Sequence, residues 1–276
     1  MNLKEIEKVV GSLQNHLFKN SNSFSVGMLK SHFKGAGLQF KEHQVYNPGD
    51  DVRFIDWKLS AKTNTTFVKT FEEERNVEIN ILLDISETMM MGYKGVSKLQ
   101  ASIELTCLLF LLAEKSKDKV SVIIYTDQIK ILPLSSGHEG IVLLISQLQK
   151  MNILKEDGKV NLHYDVKLPE NDQKVLATLK SFVAKGKEVI VFSDLYKINN
   201  LDVVNKLLYR PNMHFFIVES PLENKQALPF SIYGKSSLGA FYGRVNTKKD
   251  EIKLKGRFKR IGVHERYLEN FVHDML

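Results

Sequence analysis

The order of apolar and polar residues changes along the chain near residue 77. From there, short apolar runs alternate with longer stretches whose apolar residues recur at helical spacing. The runs predicted as strands are Val77–Leu83, Val120–Tyr125, Ile129–Leu134, Glu188–Phe192 and Met213–Val218. The stretches predicted as helices are Lys98–Lys115, Glu139–Met151, Asp172–Lys185 and Leu201–Tyr209. This alternation is typical of βαβ units, so the sequence predicts an α/β fold with a mostly parallel sheet flanked by helices.

The two ends of the chain follow other patterns. Residues 3–17 carry an apolar stripe that predicts an amphipathic helix. The stretch after Leu228 mixes glycines with aromatics and predicts edge strands, with Glu265–Met275 as a closing helix. The expected regions are an N-terminal helix with a motif-bearing segment over 1–75, the α/β domain over 76–220, and an extension packed on the core over 221–276.

The composition fits a protein with a substantial core and no intrachain disulfide. The chain has 276 residues, of which 43% are hydrophobic, and one cysteine. Cys107 lies within the pattern of an apolar helix, where we expect a buried thiol in a reducing compartment. No apolar stretch is long enough to cross a bilayer, and the N-terminus lacks the pattern of a secretory signal. We therefore expect a cytoplasmic location and no membrane span.

The net charge of +7 permits an acidic partner. Basic residues are concentrated between Lys248 and Arg260, where they could meet nucleic acid or an anionic membrane. No recognition motif accompanies the run, so a solvated surface is the favoured interpretation and no nucleic-acid partner is expected.

Oxygen-bearing side chains follow two of the predicted strands at their carboxyl ends. Asp84, Ser86 and Thr88 follow the first strand, and Asp194 follows the Glu188–Phe192 strand. In open α/β sheets ligands gather outside the carboxyl ends of strands, and Mg²⁺ prefers oxygen ligands. Two carboxylates at one edge repel each other unless a proton or a cation intervenes. The sequence predicts a metal site here, although the same residues could simply cap helices and shape turns.

Enzymatic alternatives have less support. The eight histidines include no His-Glu-x-x-His zinc motif, and no Gly-x-Ser-x-Gly elbow is present. Phosphotransferases of the haloacid dehalogenase type also begin with a strand-end Asp, within an Asp-x-Asp-x-Thr pattern. Here Ser86 stands where their second Asp acts as acid and base, and a hydroxyl is a poor substitute. A metal-dependent phosphohydrolase is therefore the lesser alternative.

Two resemblances carry more specific expectations. The Asp84-x-Ser86-x-Thr88 pattern with the later Asp194 resembles the metal-ion-dependent adhesion site of von Willebrand factor type A domains. The segment Tyr46–Lys62, followed by Phe71-Glu72-Glu73-Glu74, closely resembles the bacterial domain of unknown function 58 family. That family has a Tyr-x-x-Gly-Asp-x-x-Arg-x-Ile-Asp-Trp run leading into a type A-like domain. The matching residues singled out for interaction are Tyr46, Gly49, Asp50, Arg53, Asp56 and Trp57.

The resemblance implies a von Willebrand factor A-like, Rossmannoid fold and a protein-binding role. Such proteins resemble partners of MoxR-type AAA ATPases in the assembly or maturation of other proteins, and no enzymatic activity comes with the family. The implied cofactor is Mg²⁺, bound by Asp84, Ser86, Thr88 and Asp194. A metal-free scaffold that binds through residues 46–62 is the alternative.

One departure from the adhesion-site pattern concerns its loop threonine. The matching stretch is Gly158–Leu162, with Val160 where the hydroxyl is expected. Since valine cannot bind a cation, the site binds metal weakly, uses another ligand such as Asn161, or has lost the metal.

The Tyr46–Lys62 segment is predicted to be an ordered clasp. Pro48 and Gly49 predict a turn, and Arg53 is expected to form a bidentate pair with a nearby carboxylate. We expect Ile55 and Trp57 to anchor the segment by burying apolar area on the core.

Overall fold

A computed structural model describes residues 38–73, 77–126, 129–161, 163–164, 172–223, 232–236, 239–243, 254–263, 267–268 and 270–271. The described residues form two compact units, one over 38–77 and the other from residue 78 onward. The amphipathic helix predicted over residues 3–17 lies outside the described residues.

The first unit is built on a two-stranded antiparallel sheet. Strand β1 (Leu38–Val45) pairs with β2 (Phe67–Glu73), with a bulge between Phe40 and Glu42. A 3₁₀ turn (Val52–Phe54) and helix α1 (Trp57–Thr63) connect the two strands.

The second unit contains a six-stranded sheet with the order β12-β9-β8-β3-β6-β7. The first five strands in that order are parallel, and β7 pairs antiparallel with β6 at the edge. The strands are β3 (Glu78–Asp84), β6 (Lys119–Tyr125), β7 (Lys130–Ile131), β8 (Glu188–Ser193), β9 (Met213–Glu219) and β12 (Lys259–Gly262). The predicted α/β fold with a mostly parallel sheet is confirmed.

Within the described residues, four helices between the strands of this sheet lie close to their predicted bounds. They are α2 (Lys98–Ser116), α3 (Gly137–Lys150), α4 (Gln173–Ala184) and α5 (Leu201–Leu207). Alternate strand residues such as Leu82 and Val191 form one core cluster with the apolar stripes of α4 and α5. Helix α2 contacts β3, β6 and α3. Because successive strand residues point to opposite faces, the central strands are buried on both sides, as their continuous apolar runs predict.

Two short hairpins complete the described fold. Strands β4 (Gly92–Tyr93) and β5 (Val96–Ser97) form the first, immediately before α2. Strands β10 (Ile232–Ser236) and β11 (Gly239–Gly243) form the second, in a sheet of their own. The C-terminal edge strand predicted in general terms is β12, which pairs with β9. Of the helix predicted over Glu265–Met275, four residues are described, and all four are helical.

Candidate binding site at the carboxyl edge of the sheet

The strands that carry the two predicted aspartates are neighbours in the sheet. Strands β3 and β8 pair in parallel with Leu83 opposite Phe192, so both chains leave the sheet side by side. Strand β6, the next strand of this sheet along the chain, lies on the other side of β3. The strand order therefore reverses between β3 and β8, and this is the position at which doubly wound sheets form a crevice.

The four predicted ligand residues meet in one hydrogen-bonded cluster, which we call the edge cluster (Asp84, Ser86, Thr88, Asp194). Asp84 Oδ1 accepts from the Ser86 backbone N–H at 2.9 Å. The Ser86 and Thr88 hydroxyls are 3.0 Å apart, and Thr88 Oγ1 donates to Asp194 Oδ1 at 3.1 Å. Both aspartates are fully buried. The structure thus brings the four predicted residues together, and metal binding by them stays a prediction.

Burial governs the protonation of Asp84. Removal from water raises the pKa of the Asp84 carboxyl above its ordinary value, and the negative charge of Asp194 raises it further. Hydrogen bonds from Ser193 and Ser86 act in the opposite direction, and the Ser193 hydroxyl donates to Asp84 Oδ2 at 2.6 Å. Burial of the two carboxylates is therefore offset by a proton on Asp84 or by a nearby positive charge.

A buried lysine supplies such a charge, and sequence reasoning missed it. Lys98 Nζ donates to Asp194 Oδ2 at 2.7 Å and to Glu223 Oε1 at 2.6 Å. The Lys98 side chain is completely buried, and Tyr196 presents its ring 5.7 Å from the ammonium. Glu223 is oriented in turn, because its Oε2 accepts from the Ser220 backbone N–H at 2.7 Å. The signal in the sequence was a lysine at the start of a predominantly apolar helix, right after the capping residue Ser97.

The donor set agrees with Mg²⁺ in kind, since it consists of carboxylate and hydroxyl oxygens. The Asp194 oxygens are nevertheless engaged already, Oδ2 by Lys98 and Oδ1 by Thr88 and the Tyr196 backbone N–H. A divalent cation at the edge cluster would have to compete with the Lys98 ammonium. Within the described part of the chain, no three His, Cys, Asp or Glu side chains are grouped so as to hold a metal ion.

The loop in which a threonine ligand was expected has a structural role instead. Val160 is buried and forms an isolated antiparallel bridge with Leu154. The Asn161 side chain serves its own loop, donating to the Asn152 carbonyl and accepting from the His163 N–H. Neither residue contributes an oxygen to the edge cluster in this arrangement.

Tyr164, which the sequence did not single out, connects this loop to the end of β3. Its hydroxyl donates to the Ile85 carbonyl at 2.5 Å and lies 3.4 Å from the Ser86 carbonyl. Burial, followed by the charge of Asp84, raises the pKa of the Tyr164 hydroxyl. The hydroxyl therefore stays protonated as a donor that holds the backbone beside the cluster.

The predicted turn and arginine pair of the motif segment are both present. Gly49 has a φ of +112°, and the Asp50 carboxylate accepts from the Asn47 N–H at 2.8 Å. Arg53 pairs with Asp51 through its Nε and Nη2 atoms, the latter at 2.6 Å from Oδ2. The hydrogen bonds from Arg53 lower the pKa of Asp51 to about 2. Tyr46 lies half-buried at the end of β1.

Asp56 acts as the N-cap of α1. Its Oδ1 accepts from the Leu59 N–H at 3.0 Å, while Oδ2 lies 3.0 Å from His43 Nε2 and 3.4 Å from Lys69 Nζ. The Leu59 and His43 hydrogen bonds, in that order, are the main reasons that the pKa of Asp56 falls to about 2. Asp56 is therefore ionised at neutral pH and fixes the start of the helix.

The prediction that Trp57 anchors the segment was wrong. Its side chain is 71% exposed, because it starts α1 on the solvent side, while Ile55 is half-buried and bridges to Val68. The segment also contains regular structure, a 3₁₀ turn and a short helix, which the prediction of an ordered clasp did not specify. Periodicity over so few residues could not reveal which side faces solvent.

Two expectations from the composition concern the thiol of Cys107 and membrane-spanning helices. Cys107 is fully buried in α2, and burial raises the pKa of its thiol, as expected for an unreactive cysteine. Among the described residues, no helix has the length and apolarity that a bilayer crossing needs.

Similarity to known sequences is strongest at the family level. Residues 42–230 match the sequence model of a family described as "Protein of unknown function DUF58". The uncharacterized proteins Mb1516 of Mycobacterium bovis and Rv1480 of Mycobacterium tuberculosis are each 34% identical over 58 residues. That match covers 21% of this chain and 18% of each relative, so the chain spans less than a fifth of the length of these curated relatives.

Solved structures resemble this chain more distantly. BatB from Bacteroides thetaiotaomicron is 18% identical, with a TM-score of 0.45 over 72% of this chain and 97% of that one. The SpRpn10 VWA domain is 10% identical, with a TM-score of 0.40 over 72% and 94% of the two chains.

The matched residues include the motif segment, the edge cluster and most of the six-stranded, mostly parallel sheet. Because the match extends over more than half of the chain, the protein belongs to the family of proteins of unknown function DUF58.

Proposed function

We propose that this protein is a non-enzymatic interaction module that works with a MoxR-type AAA ATPase in the assembly or maturation of other proteins. The observation that carries the proposal is the edge cluster at the reversal of strand order, with two buried carboxylates joined by the Ser86 and Thr88 hydroxyls. The choice of ATPase follows from the family resemblance. The proposed setting is the cytoplasm, where such an ATPase finds its ATP.

In the metal-dependent version of this proposal, Asp84, Ser86, Thr88 and Asp194 would hold Mg²⁺. The ion, when bound, would supply an open position for a carboxylate of the partner. The chain's own residues position these oxygens: Ser193 and the Ser86 N–H orient Asp84, and Lys98 orients Asp194.

The metal-free version is favoured by two observations. Lys98 already provides the edge cluster with a cation, and Trp57 presents an exposed indole on the motif segment. Exposed aromatic side chains beside charged residues are common centres of binding energy in protein interfaces. In this version the partner binds residues 46–62, and the edge cluster maintains the fold.

Partner capture by immobilised full-length protein tests the proposal, with the purified MoxR-type ATPase of the same organism as the probe. Asp84→Asn is expected to weaken capture by about tenfold in the edge-cluster version, in line with the loss of one charge-assisted contact. Trp57→Ala is expected to do so in the metal-free version. Asp202→Asn, which removes an exposed carboxylate on α5, is the matched control. The proposal would be overturned if the wild-type protein captured no ATPase. It would also be overturned if neither variant weakened the capture.

Titration calorimetry of Mg²⁺ into metal-stripped protein tests the cofactor separately. Saturable binding that disappears in Asp84→Ala is the result expected from the metal-dependent version. If wild type releases no heat and gains no thermal stability from Mg²⁺, the metal-dependent version fails, because a ligand of the folded state must stabilise it.

A phosphohydrolase fits the site less well. Ser86 stands where an acid/base carboxylate is needed, and its hydroxyl is hydrogen-bonded to Thr88. Turnover of p-nitrophenyl phosphate with Mg²⁺, abolished by Asp84→Asn, would replace the interaction proposal with an enzymatic one.

A further inference from the structure

Two segments that are far apart in the sequence meet at the end of helix α5. The Lys255 N–H donates to Asn205 Oδ1 at 2.7 Å, and the Arg257 N–H donates to the Leu208 carbonyl at 3.3 Å. Gly256 permits this close approach, because a Cβ atom there would lie 2.7 Å from the Leu208 Cβ atom. The residues that precede strand β12 are therefore held against the last turn of α5.

Apolar side chains fix the same segment on the core. Leu254 and Phe258 are half-buried and pack on the core cluster that α4 and α5 share with the sheet. Lys255 and Arg257, which lie between them in the chain, are exposed. The segment thus presents two cations to solvent from an anchored backbone.

The α5 side of this meeting point is also basic. Lys206 and Arg210 are exposed there, and Tyr209 between them has a side chain that is 67% exposed. We call Lys206, Tyr209, Arg210, Lys255 and Arg257 the basic patch. Four cations and one accessible aromatic ring are thereby gathered from two parts of the chain.

Carboxylates do little to offset this charge. Residues 203–218 and 254–263 contain no aspartate or glutamate. Asp202 lies one helical turn before the first lysine of the patch, and Glu188 is buried against His214. Within the described part of the chain, none of the four patch cations forms a side-chain ion pair. Charge complementarity therefore favours a polyanionic ligand.

The residue types of the patch distinguish among polyanions. Lysine and arginine both bind phosphate oxygens, whereas lysine is depleted in interfaces between proteins. An exposed aromatic ring among cations is the arrangement on which unpaired bases stack in proteins that bind single strands. Insertion into a membrane needs several apolar side chains, but Tyr209 is the only large hydrophobic residue exposed within 203–218 and 254–263.

We propose that the basic patch binds single-stranded nucleic acid, with phosphates on Lys206, Arg210, Lys255 and Arg257 and a base on the Tyr209 ring. The patch precedes β9 and β12, so it lies at the amino end of the sheet, opposite the edge cluster. The proposal is therefore independent of the interaction function. It gives part of the C-terminal basic run a ligand, where the sequence alone favoured a solvated surface.

Fluorescence anisotropy with labelled octathymidylate tests the proposal on the full chain. Lys206→Ala with Lys255→Ala is expected to weaken binding about tenfold or more at about 50 mM salt, because two phosphate contacts are lost. The slope of log K against log salt concentration should decrease in magnitude by about 1.4, since each contact to a single strand contributes roughly 0.7. Lys130→Ala with Lys150→Ala removes the same charge from exposed positions on β7 and α3, and should change the affinity less than twofold.

A variant of the aromatic residue separates stacking from charge. Tyr209→Leu keeps an apolar side chain but removes the ring. It is expected to weaken octathymidylate binding about fivefold or more, in line with the loss of one stacked base. The salt dependence should stay as in wild type, because stacking releases no counterions.

Four results would overturn the proposal. The first is an equal loss of affinity in the Lys130 and Lys150 control, which would show general electrostatic attraction. The second is wild-type affinity in Tyr209→Leu, which would show that no base stacks there. The third is tighter binding of an octaglutamate peptide or of phosphatidylglycerol vesicles, lost in the Lys206 and Lys255 variant, which would assign the patch to an acidic protein or a membrane. The fourth is no binding of octathymidylate at about 1 mM, which is above the range of ordinary non-specific complexes.

Discussion

Among single side chains, Lys98 has the largest consequences for the carboxyl edge of the sheet. A buried ammonium is costly unless it is paired, and Lys98 meets this condition by bonding to both Asp194 and Glu223. The same contacts offset the repulsion between the negatively charged carboxylates. Lys98 thus places a positive charge beside these buried carboxylates.

Lys98→Met is therefore expected to lower the free energy of unfolding by about 3–5 kcal/mol, the usual result of removing one partner of a buried ion pair. Urea unfolding followed by circular dichroism measures the change. Adding Asp194→Asn and Glu223→Gln should recover most of the loss, because no unpaired charge then remains. If Mg²⁺ binds the edge cluster, it should also raise the melting temperature of Lys98→Met more than that of wild type. Lys180→Met, at an exposed position, is the control, and unchanged stability of Lys98→Met would contradict the assigned role.

Individual elements show where sequence patterns succeed and where they do not. The strands buried on both faces, β3, β6, β8 and β9, were predicted to within about two residues at each end, because long apolar runs bounded by polar residues have few alternatives. The run Ile129–Leu134 instead yields the two-residue strand β7. Pro133 lacks an N–H to donate and ends regular pairing, although Ser135 still bridges to Val120.

Helix α3 contains Gly140, and the packing of α2 against α3 explains why a glycine occupies this position. A Cβ atom at Gly140 would lie 2.2 Å from Cδ1 of the buried Phe110 ring in α2. The close approach of these helices thus depends on the missing side chain, despite the roughly 1 kcal/mol by which glycine is a poorer helix former than alanine.

Gly140→Ala is accordingly expected to lower the free energy of unfolding by about 1–3 kcal/mol, since overpacking outweighs the gain in helix propensity. Urea titrations of Gly140→Ala, Phe110→Leu and the double variant form a cycle that isolates the contact. The double variant should be more stable than the sum of the single effects predicts. A Gly140→Ala protein more stable than wild type would show that Phe110 moves aside freely.

For the whole molecule, the division into two units is the feature with the most direct test. In the 38–77 unit, only Val68 and Val77 are buried among the side chains that the structure describes there. The second unit has a continuous core on its six-stranded sheet. Few buried apolar side chains give little hydrophobic stabilisation to set against the entropy of ordering a chain.

A peptide of residues 34–77 is therefore expected to be unfolded on its own. Its circular dichroism should lack the signal of α1 and should show no cooperative thermal transition. The full-length chain is the comparison, measured under the same conditions. A sharp unfolding transition of the isolated peptide would show that local contacts such as the Asp56 cap are sufficient.

The sequence by itself determined the class of fold, the family, and the four residues of the edge cluster. These depend on local signals: apolar periodicity, strand-end polar residues, and the spacing of the Tyr46–Lys62 motif. Only the tertiary structure decided that Lys98 and Glu223 complete the cluster, that Trp57 faces solvent, and that Val160 is buried in a bridge to Leu154. Lys98 and Glu223 are 125 residues apart in the chain, and their contact follows from helix α2 and the end of β9 meeting at one edge of the sheet. No local pattern encodes such a meeting, because it results from strand order and from the packing of helices on the sheet.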